Sequence, residues 1–401
     1  MKTTEYKDSE VGRIPADWTV KQIGKMGYTY SGLTGKNKED FGKGEARYIT
    51  FLNVLNNPIL KTDIFETVDV KEGELQNKAI KGDLFFNTSS ETPEEVGICA
   101  LLNEDISNLY LNSFCFGYRL IDPDIDGLYL SYYFRSKQGR DIMSALAQGA
   151  TRYNLSKEYF NKTLIAFPTI DEQKKVAKAL SEIDSLLCKQ NEEIEKKRMI
   201  KDGLMQELLT GKKRLARFNG EWKQITLGEY CSIVMGQSPS STFYNQNGVG
   251  LPLIQGNSDF ENRKSIIRTY TSYITKTCNQ NDTIMSVRAP VGAVGKASSD
   301  SCLGRGVCAF RTDTDFLFYY MQYNEDKWGQ LSKGSTFDSI NRDDLCSVII
   351  SVPPSKKEES AICDILSSFD KDIEQAISQR DKYLLIKQGM MQQLLTGKTR
   401  L

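Results

Sequence analysis

The 401-residue sequence contains no histidine. That absence removes the imidazole general base, the Ser-His-Asp and Cys-His nucleophile systems and most zinc sites together. Nine cysteines are present, yet none is spaced as C-x-x-C, and an odd number of thiols suits a reducing compartment better than a disulfide framework. Cys302 and Cys308 lie in an apolar-flanked stretch and read as core thiols, not metal ligands. No apolar run approaches the ~18 residues of a membrane span. The first residues, MKTTEYKDSEVGRIPADW, carry no apolar leader segment, so the expectation is a cytoplasmic protein without membrane contact. An excess of either charge is also missing, because Lys+Arg and Asp+Glu number 52 each. Any nucleic-acid partner must therefore be held by local patches or through a basic companion subunit. Locally the balance does shift: residues 1–168 carry 20 basic and 23 acidic groups, residues 212–354 carry 16 and 13.

What is present is repetition. KDGLMQELLTGKKRL (201–215) matches KQGMMQQLLTGKTRL (387–401) at 11 of 15 positions. The offset of 186 extends back to Asp184 and Asp370, and at an offset of 185 Pro168 meets Pro353 and GATRYNLS (149–156) meets GSTFDSIN (334–341). Further upstream the offset is 204, pairing Trp18 with Trp222, Gly24 with Gly228, Gly32 with Gly236 and Asn53 with Asn257. Similar ends around a drifting middle are the mark of a duplicated module with insertions.

Each copy has two parts. The first is a mixed α/β (α+β) domain, in which β-rich runs such as RYITFLNVL, GDLFFNTS and LPLIQGN lie between Gly, Asn and Ser turn signals. The second is a long helix after a proline. Its seam has apolar residues at alternating spacings of four and three: Val176, Leu180, Ile183, Leu187, Ile194, Leu204 and Leu208, then Ile362, Leu366, Phe369, Ile373, Tyr383, Met390 and Leu394. Both seams are polar in the middle, where Lys197, Lys201, Arg380 and Lys387 fall. Those cations require compensation by neighbours such as Glu193, Glu195 or Asp381, or else the surface is open to a partner. Gly211 and Gly397 stop the helices. The boundaries expected are a first domain at 1–168, a helix at 169–211, a second domain at 212–354 and a helix at 355–401. Two equal rods of ~39 residues, each ~58 Å long, pair most simply as an antiparallel coiled coil with a pseudo-two-fold axis.

Chemistry-bearing motifs are scarce. FGKGEA (41–46) misses the spacing of a methyl-donor loop and reads as a polar turn before a strand. The sequence has no [ND]-P-P-[YF] amide-methylation tetrapeptide, and NNPI (56–59) is the nearest approach. APVGAVGKAS (289–298) lacks the first Gly and the final Ser/Thr of a phosphate loop and reads as a hairpin turn. Glu94-Glu95 and Asp343-Asp344 read as solvated faces. Two large domains without a catalytic set, spaced by a rigid rod, describe a ruler with two reading heads.

IPADW (14–18) with NGEW (219–222), QGN (255–257), CLGRGVCAFR (302–311), the GAT/GST pair and the LLTGKKRL/LLTGKTRL endings, in this order and twice over, resemble the specificity subunits of type I restriction–modification enzymes. The resemblance spans essentially the whole chain. It implies two target-recognition domains that each read one half of a split double-stranded DNA site. The helices would fix the spacer and dock two methyltransferase subunits, with two motor-nuclease subunits in the full complex. It further implies no catalytic residue, metal or cofactor on this chain, with S-adenosylmethionine, ATP and Mg on the partners. A paired protein-interaction scaffold that binds no DNA is the alternative, favoured by the zero net charge.

Base edges are read by Arg, Lys, Asn, Gln, Ser and Thr, and phosphates are held by Lys, Arg and hydroxyls. On that basis the first-domain candidates are Lys36, Lys38, Asn53, Asn87, Thr88, Ser89, Thr151, Arg152, Tyr153 and Asn154. Those of the second are Gln237, Ser238, Gln255, Asn257, Ser286, Arg288, Lys333, Ser335 and Thr336. The same residue types also cap turns, and Arg305 and Arg311 suit ion pairs inside the second domain.

Overall fold

The computed structural model describes residues 5–331 and 339–401. They form two compact units. The first runs to Gln190 and also takes in Gln379–Leu401; the second is Asn191–Ser378. Each long helix is thus shared out: α1 (Ile170–Leu208) and α2 (Lys356–Leu394) are 39 residues long, and each gives part of its length to each unit. The sequence boundaries, drawn at the helix ends, separate domain from helix; the packing groups each domain with parts of both helices.

Both units are mixed α and β and share one plan, as the repeat implies. In the first, an antiparallel sheet runs Gly27–Ser31, Cys115–Leu120, Leu84–Asn87, Cys99–Leu101. In the second the order is Ser232–Met235, Val307–Arg311, Thr283–Ser286, Val294–Lys296, lengthened by the small hairpin Phe260–Glu261/Lys264–Ser265. A parallel pair stands beside each sheet, registering Ile49 with Leu111 in one unit and Ile254 with Leu303 in the other. The close approach of Gly32 and Gly236 explains that matched glycine: a Cβ would strike the Asn112 carbonyl at one and the Gly304 carbonyl at the other. Phe160 is central to the first core, with ring centroids at 4.9 Å from Phe86 and 5.3 Å from Phe116. Cys302 and Cys308 are fully buried, the core role read from the sequence, and burial likewise pushes the Cys115 and Cys278 thiols up to about 12.

FGKGEA is not a turn before a strand but the beginning of the strand Phe41–Ile49, irregular between Phe41 and Ala46, where Gly42 and Gly44 take left-handed φ. APVGAVGKAS supplies the turn and the returning strand of the hairpin Thr283–Ser286/Val294–Lys296, as read.

Within each unit the helix segments run antiparallel. In the first, Arg400 meets Glu172 at 2.6 Å and Lys387 meets Asp184 at 2.5 Å. In the second, Arg214 meets Glu358 at 2.7 Å and Lys201 meets Asp370 at 2.6 Å. Every seam residue named from the heptads is buried or half-buried. Two of the four cations of the polar middle are compensated across the helices and two along their own helix. Lys201 and Lys387 take Asp370 and Asp184, each acid also accepting a tyrosine hydroxyl, from Tyr319 at 2.9 Å and Tyr132 at 2.8 Å. Glu193 and Asp381 pair with Lys197 and Arg380 as expected, whereas Glu195 takes Arg198.

The two helix endings do the same work in their own units. Leu394 and Leu395 enter the core containing Val176, Ala177 and Leu180, while Leu208 and Leu209 enter the one containing Ile362 and Leu366. Gly397 turns beside Pro15 and Trp18, and Gly211 beside Trp222. Arg400 binds Asp17 at 2.8 Å, so the last residues lie against the Ile14–Trp18 segment.

Candidate nucleic-acid interface

In each unit three loops meet at the end of the main sheet, joined by a short strand in the first unit and by a single bridge in the second. The first unit assembles them as follows. Leu33 donates to the Leu111 carbonyl, Thr88 to the Phe114 carbonyl, and Leu155 to the Thr88 carbonyl. Tyr153–Leu155 then pairs with Ser89–Ser90. The second unit repeats the pattern: Gln237 donates to Leu303, Val287 to Gly306, and Ile340 to Val287, with Ser339 bridging Arg288. Thr88-Ser89 thus corresponds to Val287-Arg288, and Ser113 to Arg305.

The loops are held by the buried residues Asn87 and Ser286. Asn87 donates to the Glu95 carbonyl at 2.7 Å and accepts from the Ile98 amide at 2.6 Å. Ser286 donates to the Pro290 carbonyl at 2.8 Å and accepts from the Ala293 amide at 3.0 Å. Both are fully buried. Asn53 is buried too, its amide joined to the Lys61 carbonyl and amide at 2.8 and 3.0 Å. These three were expected to face DNA; instead their polar atoms are consumed inside the fold, and freeing them would cost a buried hydrogen bond each. Lys36 is likewise drawn in: its side chain is 6% exposed and meets Glu74 at 2.5 Å.

Of the other candidates, Thr88, Ser89, Tyr153 and Asn154 come together on the first unit's small sheet, Ser89 itself buried, with Thr151 and Arg152 exposed in the turn before it. Lys38 is exposed at the loop start near Asn37. Gln237 is exposed beside Ser238, whose hydroxyl accepts from the Arg305 amide at 3.0 Å. Lys333, Ser335 and Thr336 lie outside the described residues.

The second unit gathers Ser238, Gln255, Asn257 and Arg288 around an open cleft of about 440 Å³, joined by Arg305, Ser241 and Tyr244. Arg305 is thus no structural ion pair; it is exposed and pairs with no acid among the described residues, whereas Arg311 does bind Asp282 at 3.4 Å. Among the described residues no carboxylate lines the cleft. The acid beneath it, Asp259, is buried and accepts the Gln255 amide at 2.7 Å. Two guanidinium forks, two carboxamides and hydroxyls, with no competing acid among the described residues, constitute a surface for acceptor-rich, anionic ligands. Arg305 had a sequence signal, a lone cation between two glycines in GRG, but the glycines alone do not tell a rim arginine from a paired one.

Among the described residues no group of three acidic or thiol side chains is placed to hold a metal ion, and no helix is long and apolar enough to cross a membrane.

The type I restriction modification DNA specificity domain matches the chain twice, over residues 15–196 and 219–380. The putative type I restriction enzyme MjaX specificity subunit of Methanocaldococcus jannaschii is 30% identical over 419 residues, covering 100% of this chain and 97% of that protein. The MjaVIII specificity subunit of the same organism is 25% identical, covering 69% of this chain and 71% of its own. The solved S subunit of a type I system from M. genitalium shares the fold, with a TM-score of 0.62 at 17% identity, over 94% of this chain and 96% of that one. A chain from a type I R-M system, solved to explain complex assembly and conformational transition, also gives 0.62, at 22% identity and 96% and 99% coverage.

Proposed function

The chain belongs to the type I restriction–modification DNA specificity family, and from that premise we propose that it reads a two-part double-stranded DNA site, one half with each unit. The observation that carries the reading is the cleft of the second unit, where Arg288 and Arg305 stand with Gln255 and Asn257 and no acid among the described residues lines the wall. Arginine forks match guanine O6 and N7, and carboxamides match adenine N6 and N7. The first unit presents hydroxyls, Asn154 and Arg152 at the corresponding edge, so the two half-sites differ in sequence. The paired helices set the spacer, because a rod defines a distance that a flexible linker leaves broad.

In this reading the chain performs no catalysis. Methyltransferase subunits dock on the coiled coil and bring S-adenosylmethionine; motor-nuclease subunits bring ATP and Mg. The absence of histidine and of a methylation tetrapeptide from the sequence supports that division.

Mapping methylated adenines in DNA from cells that express the chain with its methyltransferase tests the proposal. A split motif is expected, and Arg288→Ala relaxes only the half read by the second unit, at about 1–3 kcal/mol per lost bidentate contact. An unchanged motif removes Arg288 from base reading. No motif at all, with no sequence-specific gel shift, returns the chain to the scaffold alternative.

A further inference from the structure

The edges of the two units differ where bases would be read: Ser89 stands where the other unit has Arg288, and Ser113 where it has Arg305. One neighbouring position does not differ in charge. Lys157 follows by two residues the Leu155 whose amide binds the Thr88 carbonyl, and Arg342 follows by two the Ile340 whose amide binds the Val287 carbonyl. Both are therefore cations at the same place in the repeated plan, beside the reading loop.

The surroundings of Lys157 are unusual for a lysine. It is half-buried and forms no ion pair among the described residues. Its ammonium meets the Ser31 hydroxyl at 3.1 Å and lies 5.8 Å from the centre of the Phe116 ring. The adjacent Glu158 is taken by Lys162 at 2.6 Å. Desolvation holds the amine below its ordinary pKa, which is the mark of a cation short of a counter-charge. Arg342 is exposed, likewise without an ion pair among the described residues, and the nearby Asp344 accepts the Asn341 amide and is bonded back by the Asn341 side chain.

We propose that Lys157 and Arg342 are equivalent phosphate anchors, one per unit, that grip the DNA backbone whatever the base sequence. The proposal rests on the DNA-reading function above. A residue that reads bases changes when the half-site changes, as the exposed pair Ser113/Arg305 has. A residue that holds phosphate has no such reason to change, and a point charge without a fixed fork suffices for it. The fixed amine of Lys157, seated between a hydroxyl and an aromatic face, is already placed and needs only the anion.

The test is binding of the full chain, with its methyltransferase subunits, to a fluorescent duplex carrying the mapped motif and to a scrambled duplex, between 50 and 200 mM salt. Lys157→Gln and Arg342→Gln each make the slope of log K against log[salt] less negative by about 0.9, weaken binding about fivefold at 0.15 M salt on both duplexes, and leave the motif unchanged. Lys157→Arg restores the slope, which separates lost charge from a damaged fold. An unchanged slope overturns the anchor role, and so does a loss confined to the motif duplex, since that is base reading. If the unsubstituted complex itself fails to distinguish the two duplexes, the DNA-reading function falls first, and visibly so.

Discussion

Removing Asp370 tests the account of the polar seam most directly. Lys201 is only 7% exposed although it carries a full charge at a core-facing position. Asp370 neutralises it at 2.6 Å and accepts the Tyr319 hydroxyl with its other oxygen at 2.9 Å. Asp370→Ala leaves the ammonium facing the Gln322 side-chain oxygen at 3.5 Å and the Tyr319 ring at 5.5 Å, neither an adequate counter-charge. Stranding one partner of a buried pair costs about 3–5 kcal/mol. Because the Asp370 side chain is 36% exposed, water offsets part of this, and about 2–3 kcal/mol is expected. That corresponds to a fall of about 5–10 °C in the melting of the second unit, followed by calorimetry. Lys201→Met with Asp370→Leu removes both charges and restores stability to within about 1 kcal/mol. The reasoning is refuted if the single substitution costs under about 0.5 kcal/mol, or if the double variant is worse than the single. Asp184→Ala acts on the first unit and is milder, because Lys387 is 22% exposed against 8% for the Lys201 side chain.

Three further outcomes follow from the same structure. Gly397→Ala costs about 2–4 kcal/mol, since at φ +68° its Cβ would meet Pro15 at 2.6 Å and Trp18 at 2.9 Å; Gly211→Ala, at 3.1 Å from Trp222, costs about 1–2 kcal/mol, and chemical denaturation ranks the two. The Arg400 hydrogen bonds hold the Asp17 carboxyl below its ordinary value of 3.8, so this group's stabilisation is complete above that value and lost as pH falls beneath it; the difference in stability between the chain and Arg400→Ala should shrink below about pH 4. Matched insertion of one heptad into α1 and α2 lengthens the spacer of the methylated motif, whereas insertion into α1 alone destroys pairing; an unchanged spacer refutes the ruler.

The sequence displayed the architecture because repetition and heptads are local and periodic: the seam residues lie where their spacing put them, and the helices are as long as the repeat implied. The interface was legible only in part. Asn87 and Ser286 look on paper like any loop Asn or Ser, yet the carbonyls and amides that bury them come from segments up to eleven residues away, beyond any local signal. Lys36 was read as free because its acid, Glu74, stands 38 positions on. Arg305 was assigned an internal acid and Lys157 was not singled out for the converse reason: that neither forms an ion pair among the described residues is settled by the fold. The compensation of the seam was sought along each helix, where Glu193 does serve Lys197, while the deeper cations take their acids from the other helix.

The division of the helices fixes an order in time. The second unit is one continuous stretch, Asn191–Ser378, whereas the first needs Gln379–Leu401 to be whole. During synthesis the first unit is begun earliest and finished last. At roughly 5–20 residues per second, on the order of 10–40 seconds separate its Gln190 from its Leu401. Through that interval Val176, Ala177 and Leu180 wait without Leu394 and Leu395, an apolar ledge open to chaperones or to a stray copy of the same segment, while the later-encoded unit has all it needs to close.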